Sequence, residues 1–70
     1  MKLENRRDIK RKILDCGLTV TRMAVELETS PMVIYNALSK GTSSERVTNY
    51  LEKIFGAPLE KISDAWRKTI

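Results

Sequence analysis

"LTVTRMAVELETSPMVIYNALSKG", residues 18–41, decides how this chain folds. Val20, Met23, Ala24 and Leu27 recur at i, i+3, i+4 and i+7, the spacing of one apolar helical face. Thr19 stands just ahead of them as an N-cap, so a short helix is expected through Leu27. Glu28 and Thr29 make a tight connection to Ser30. Ser30 followed by Pro31 is a cap followed by a residue pre-set for the first helical position. A second helix then runs from Pro31 to about Ser39, with Ile34, Ala37 and Leu38 facing inward and Gly41 ending it. Met32, Tyr35, Asn36 and Lys40 take its outward face and are surplus to any core.

The flanking sequence is punctuated in the same way, and nothing alternates with period two for long enough to propose a sheet. The first helix is expected over residues 5–16, with Ile9, Ile13 and Leu14 on one side, basic residues on the other and Gly17 as left-handed terminator. Thr42 and Glu45 spell a T-x-x-E capping box for a helix over residues 43–55. Val47, Tyr50, Leu51, Ile54 and Phe55 carry its apolar pattern, and Gly56 closes it. Pro58 opens a last helix over residues 58–67, with Leu59, Ile62 and Trp66 at helical spacing. The expected architecture is all-α: five short helices in one domain spanning residues 1–70.

Composition narrows the function. The chain has 70 residues, 41% of them apolar and 31% charged. It holds no run of about 18 apolar residues, so no membrane span is expected. The charged start MKLENRRDIKRK lacks the apolar stretch of a signal peptide, which makes a cytoplasmic protein the expectation. A single cysteine, Cys16, and no histidine leave no internal disulfide and no plausible zinc set. The usual nucleophile–base pairs are missing too, so an enzyme is not expected, nor is a cofactor. Cys16 reads as a small, semi-buried residue near a helix end.

Thirteen basic against nine acidic residues give a net charge of +4. The excess sits in residues 1–12, where Lys2, Arg6, Arg7, Lys10, Arg11 and Lys12 outnumber Glu4 and Asp8 by that same amount. Such a segment suits a polyanion, because each phosphate neutralised releases counterions. It could track a nucleic-acid backbone or reach into a minor groove as an arm. It could equally be a solvated helix face.

The helices on either side of Glu28 and Thr29 have the proportions of a helix-turn-helix. In that unit the first helix crosses the DNA backbone, and the start of the second approaches base edges in the major groove. Ala24 is small enough for the crossing, and Met23, Leu27, Ile34 and Leu38 can pack around it. Thr19, Thr21, Thr29 and Ser30 put polar groups at the helix starts, where phosphates bind.

With those residues in place, "LTVTRMAVELETSPMVIYNALSKG" resembles the helix-turn-helix of the lambda-repressor/Cro-like (XRE-type) superfamily. The likeness is strongest to Ner-type small phage repressors, with their T-S-P-x-x-I-x-N-A-L-like third helix. "VTNYLEKIFGAPLEKISDAW" is similar to the downstream helices of that group, and the likeness covers roughly residues 8–66. It implies a sequence-specific double-stranded DNA-binding transcriptional regulator, a repressor of phage, prophage or bacterial type. Carried over, it assigns Pro31, Met32, Tyr35 and Asn36 to the groove, and Thr21, Arg22 and Lys40 to phosphate. Thr19, Ser30 and Ser39 join the phosphate set, and Arg6, Arg7 and Lys10 are further candidates for backbone contact. Where the family's turn usually has glycine, this chain has Glu28. A non-glycine residue there costs roughly 1 kcal/mol, and the carboxylate puts negative charge near DNA.

Each assignment has a plainer counterpart. Asn36 has the bidentate pattern that suits adenine, or is an ordinary polar surface residue. Tyr35 offers a ring to a thymine methyl, or packs on the flank of the bundle. Met32 gives apolar contact with thymine or covers a neighbour. Trp66 and Ile70 could anchor a homodimer on DNA, or Trp66 could seal the core. A different class of function is a helical protein-interaction module, an antirepressor or inhibitor. The neutral charge balance of residues 19–44, Arg22 and Lys40 against Glu26 and Glu28, keeps that alternative open. RNA binding is weaker, for want of an aromatic stacking platform. Seventy residues leave no room for a sensing domain, so no small-molecule effector is expected.

Overall fold

Helical segments form wherever an apolar stripe is bracketed by a cap and a stop. The computed structural model describes residues 3–68. Its elements are α1 (Arg6–Asp15), α2 (Val20–Glu26), α3 (Pro31–Lys40), α4 (Glu45–Phe55) and α5 (Leu59–Arg67). No strand occurs among the described residues.

The caps explain where the helices begin. Asn5 Oδ1 accepts from the Asp8 N–H at 3.2 Å, and Thr19 Oγ1 accepts from the Arg22 N–H at 3.1 Å. These bonds satisfy backbone donors that a helix start leaves without partners. Ser30 holds the N-cap position of α3, but its side chain makes no capping bond. The capping box expected at Thr42 does not form. α3 continues to Lys40, so Thr42 and Ser43 are used as connection and the cap falls to Ser44, whose Oγ accepts from the Val47 N–H at 3.4 Å. Helix α4 therefore starts at Glu45, later than residue 43. Pro58 has no side-chain group to cap α5. The Glu52 carboxylate reaches over from α4 instead and accepts from the Leu59 N–H at 2.8 Å.

Helix α5 packs against α1, α3 and α4, while α2 packs mainly on α3. Ile9, Met23, Ile34, Leu38, Leu51 and Ile62 are the largest fully buried apolar side chains. The expected inward residues Ile13, Ala24, Leu27, Ala37, Val47, Phe55, Leu59 and Trp66 are buried with them. Tyr50 and Ile54 are half-buried at the rim. Leu14 is the exception, with 68% of its surface exposed. Helix α1 buries Ile9 and Ile13, and Leu14 is rotated about 100° from Ile13. Cys16 is exposed, not semi-buried, because it caps the free end of α1.

Polar contacts also join α3 to α5 and α2 to α4. Ser63 is buried on α5, and its hydroxyl donates to the Ser39 carbonyl at 3.3 Å. Gly41 lies directly against it. Its φ of +76° is left-handed, and a Cβ there would sit 3.2 Å from Ser63 Cβ. On the far side, the Tyr50 hydroxyl donates to the Glu26 carboxylate and ties α4 to α2. Desolvation by partial burial, the bond to Glu26 and that residue's charge push the Tyr50 phenol up to about 12.

Gly41→Ala should cost about 2 kcal/mol in a denaturant titration, left-handed strain added to crowding. Gly17→Ala has the same left-handed φ but open space around the new Cβ, and should cost about half as much. Equal losses would show that the Ser63 contact carries no weight. The phenol pKa is raised on folding, so the Tyr50 contribution is complete below pH 10 and disappears as pH rises toward about 12. The stability advantage of wild type over Tyr50→Phe should therefore shrink across that window, and an unchanged difference would discount the Glu26 bond.

Candidate nucleic-acid interface

The outward face of α3 is set by how α2 ends. The Thr29 N–H donates to the Ala24 carbonyl at 2.9 Å, and the Glu28 N–H donates to the Val25 carbonyl at 3.1 Å. This is the Schellman closure, which requires a left-handed residue at Glu28. Its φ is +55°, and no other described non-glycine residue has a positive φ. The end of α1 shows the same pair of bonds, Leu18 N–H to Ile13 carbonyl and Gly17 N–H to Leu14 carbonyl, with glycine in the left-handed place. Identical backbone closures thus use glycine once and glutamate once.

Beyond that turn, Met32, Tyr35, Asn36 and Ser39 form one exposed stripe along α3, with Lys40 beside its end. Met32 is 66% exposed and Tyr35 44%. Pro31 and Ser30 are exposed at the helix start, where Pro31 supplies no N–H and the Ser30 hydroxyl is uncommitted. Thr19, Thr21 and Arg22 are exposed on the first turn of α2. The Thr19 oxygen caps its helix. Arg22 leans on Glu26 at 3.9 Å, a solvent-exposed pair of little strength.

The structure also brings together residues far apart in sequence. Lys10 from α1, Thr19 and Val20 from α2, and Tyr35 from α3 line a single open groove of about 240 Å³. Leu14, displaced from the core, forms part of its wall with Ile13 and Leu18. Arg7, Lys10, Arg11 and Leu14 share one side of α1, so its basic stripe continues to the edge of the α3 face. From Arg6 onward the basic segment is helical and not an extended arm. Lys2 and Ile70 lie outside the described residues.

Arg6 has a task within the fold. Its backbone N–H donates to the Lys68 carbonyl at 2.8 Å, and its Nε donates to the Trp66 carbonyl at 2.9 Å. The guanidinium lies 4.5 Å from the Trp66 ring centroid, a cation–π contact. The other neighbour of that ring is Tyr35, with centroids 6.0 Å apart and planes inclined by 40°. Tyr35 therefore packs on the bundle and faces solvent at once. Trp66 is only 6% exposed, which makes it a seal of the core within one chain.

No family model, curated protein or solved structure matches this chain in comparisons with known proteins. No described helix is long and apolar enough to cross a membrane. Among the described residues no group of three or more metal-ligating side chains comes together.

The left-handed φ at Glu28 gives a direct measurement. Glu28→Gly should raise stability by roughly 0.5 to 1 kcal/mol, the relieved strain exceeding the entropy that glycine adds to the unfolded chain. Glu28→Asn should fall between the two. A denaturant midpoint that does not move would mean the turn is unstrained.

Proposed function

We propose that this protein is a sequence-specific double-stranded DNA-binding transcriptional regulator of the lambda-repressor-like type, acting as a repressor. The observation that carries the reading is the exposed α3 stripe of Met32, Tyr35, Asn36 and Ser39, with Lys10 of α1 in the groove beside Tyr35. α3 would enter the major groove as the second helix of a helix-turn-helix, with α2 crossing the backbone. Asn36 would bond an adenine edge, and Met32 and Tyr35 would meet thymine methyls. Pro31 would let the backbone approach closely at the helix start.

Phosphates would be held at the rim. The free Ser30 hydroxyl and the uncapped start of α3 form an anion-binding end. Thr21, Arg22, Ser39 and Lys40 border the same face, and Arg7 and Lys10 extend it along α1. Arg6, held on Trp66, acts inside the fold. Repression would work by occlusion of the site. The chain measures 30 × 24 × 19 Å, while one duplex turn rises about 34 Å. One copy thus covers a half-site, and a two-fold site calls for a homodimer on DNA.

A second reading, a protein-interaction module, is favoured by the exposed Val25 on α2 beside Glu26 and near Glu28. In vitro selection from a random duplex pool separates the two. A DNA reader should yield a consensus, and Asn36→Ala should lower preference for it over random duplex by roughly tenfold. Lys40→Ala should weaken all sequences alike and reduce the salt slope by about 1. Failure of selection, together with stoichiometric capture of a protein partner, would favour the interaction module.

A further inference from the structure

We infer that Trp66, clamped by Arg6, is a positioning residue that fixes the ring of Tyr35 on the outward face of α3. The inference rests on the DNA-binding reading above. Tyr35 is the aromatic residue of the exposed stripe, and its ring meets the buried indole of Trp66. A tyrosine that must present one edge to a base loses less rotamer freedom on binding if its ring is already held.

The clamp joins the last helix to the first. From below, α5 places Trp66 in the core beside Ala65 and Ile62. From α1, Arg6 covers the ring at 4.5 Å, and its Nε is fixed by the Trp66 carbonyl. A guanidinium held over an aromatic ring by a hydrogen bond is less free than a lysine ammonium in that place would be. Tyr35 meets the same indole with its centroid 6.0 Å away, within the range of interacting aromatic pairs. The orientation of a groove-facing side chain therefore depends on the first and last helices, neither of which belongs to the α2–α3 unit.

The test is a double-mutant cycle between Tyr35 and Trp66, read as discrimination between the selected duplex and its single-base variants. Each protein is first shown to be folded by circular dichroism and thermal melting. Tyr35→Ala should lose roughly fivefold or more of discrimination at one base pair. Trp66→Leu should lose it at the same pair, the double variant should lose no more, and Trp66→Phe should restore most of it. The salt slope should be the same in all of them, since no phosphate contact is removed. If Trp66→Leu does not fold, Arg6→Leu replaces it and is expected to show the same base-specific loss in smaller measure. Full discrimination in a folded Trp66 or Arg6 variant, strictly additive losses, or no effect of Tyr35→Ala would each overturn the positioning role while leaving DNA binding intact. If the wild-type protein selects no duplex at all, the DNA-binding reading falls and this inference falls with it.

Discussion

Trp66 is buried where α1 and α3 come together on α5, and its indole is shared between a cation from one helix and a phenol from another. α5 is the element that touches α1, α3 and α4, so their relative placement is fixed by how its apolar face is filled. Ile62 fills the centre, Ser63 bonds the last turn of α3, and Leu59 starts on a cap borrowed from Glu52. In a chain this short, a single apolar core has little stability to spare, so one helix that serves three neighbours is an economical solution. It also sets the buried indole of α5 against Tyr35 on the exposed face of α3.

The turn between α2 and α3 shows a different constraint. The paired backbone bonds that close α1 also close α2, yet glycine stands in one left-handed position and glutamate in the other. The hydrogen bonds and the burial of Leu27 and Ile34 outweigh a local strain of about 1 kcal/mol. On the proposed DNA-binding reading, the Glu28 carboxylate at the entrance of α3 would weaken phosphate attraction there. Lys10 of α1 lines the groove beside Tyr35. On that same proposed reading, the N-terminal charge excess would supply attraction that the near-neutral α2–α3 segment lacks.

The five helices were legible from residues 5–67 because helix formation depends on neighbours three or four positions away. Thr19, Ile34 and Leu38, Gly17 and Gly56 all behave as their local pattern implies. The outward stripe on α3 was legible for the same reason, as the complement of the inward one. Local pattern failed where two local solutions competed. Thr42 and Ser44 are both competent caps, and the choice depends on how far α3 runs before Gly41 meets Ser63. Leu14 reads as core in isolation, but α1 has room on α5 for only one narrow stripe.

What the sequence determined by itself is the set of elements and the two faces of each, since the backbone periodicity of 3.6 residues assigns every side chain a side. What only the tertiary structure decided is which faces meet. Arg6 and Trp66 are sixty residues apart, and the Nε bond between them is made only after the first and last helices have docked. The same holds for Lys10, Thr19 and Tyr35 around one groove and for Tyr50 on Glu26. These contacts have no sequence signature because they arise from the closing of loops, and the free energy that selects them comes from burying the whole core at once.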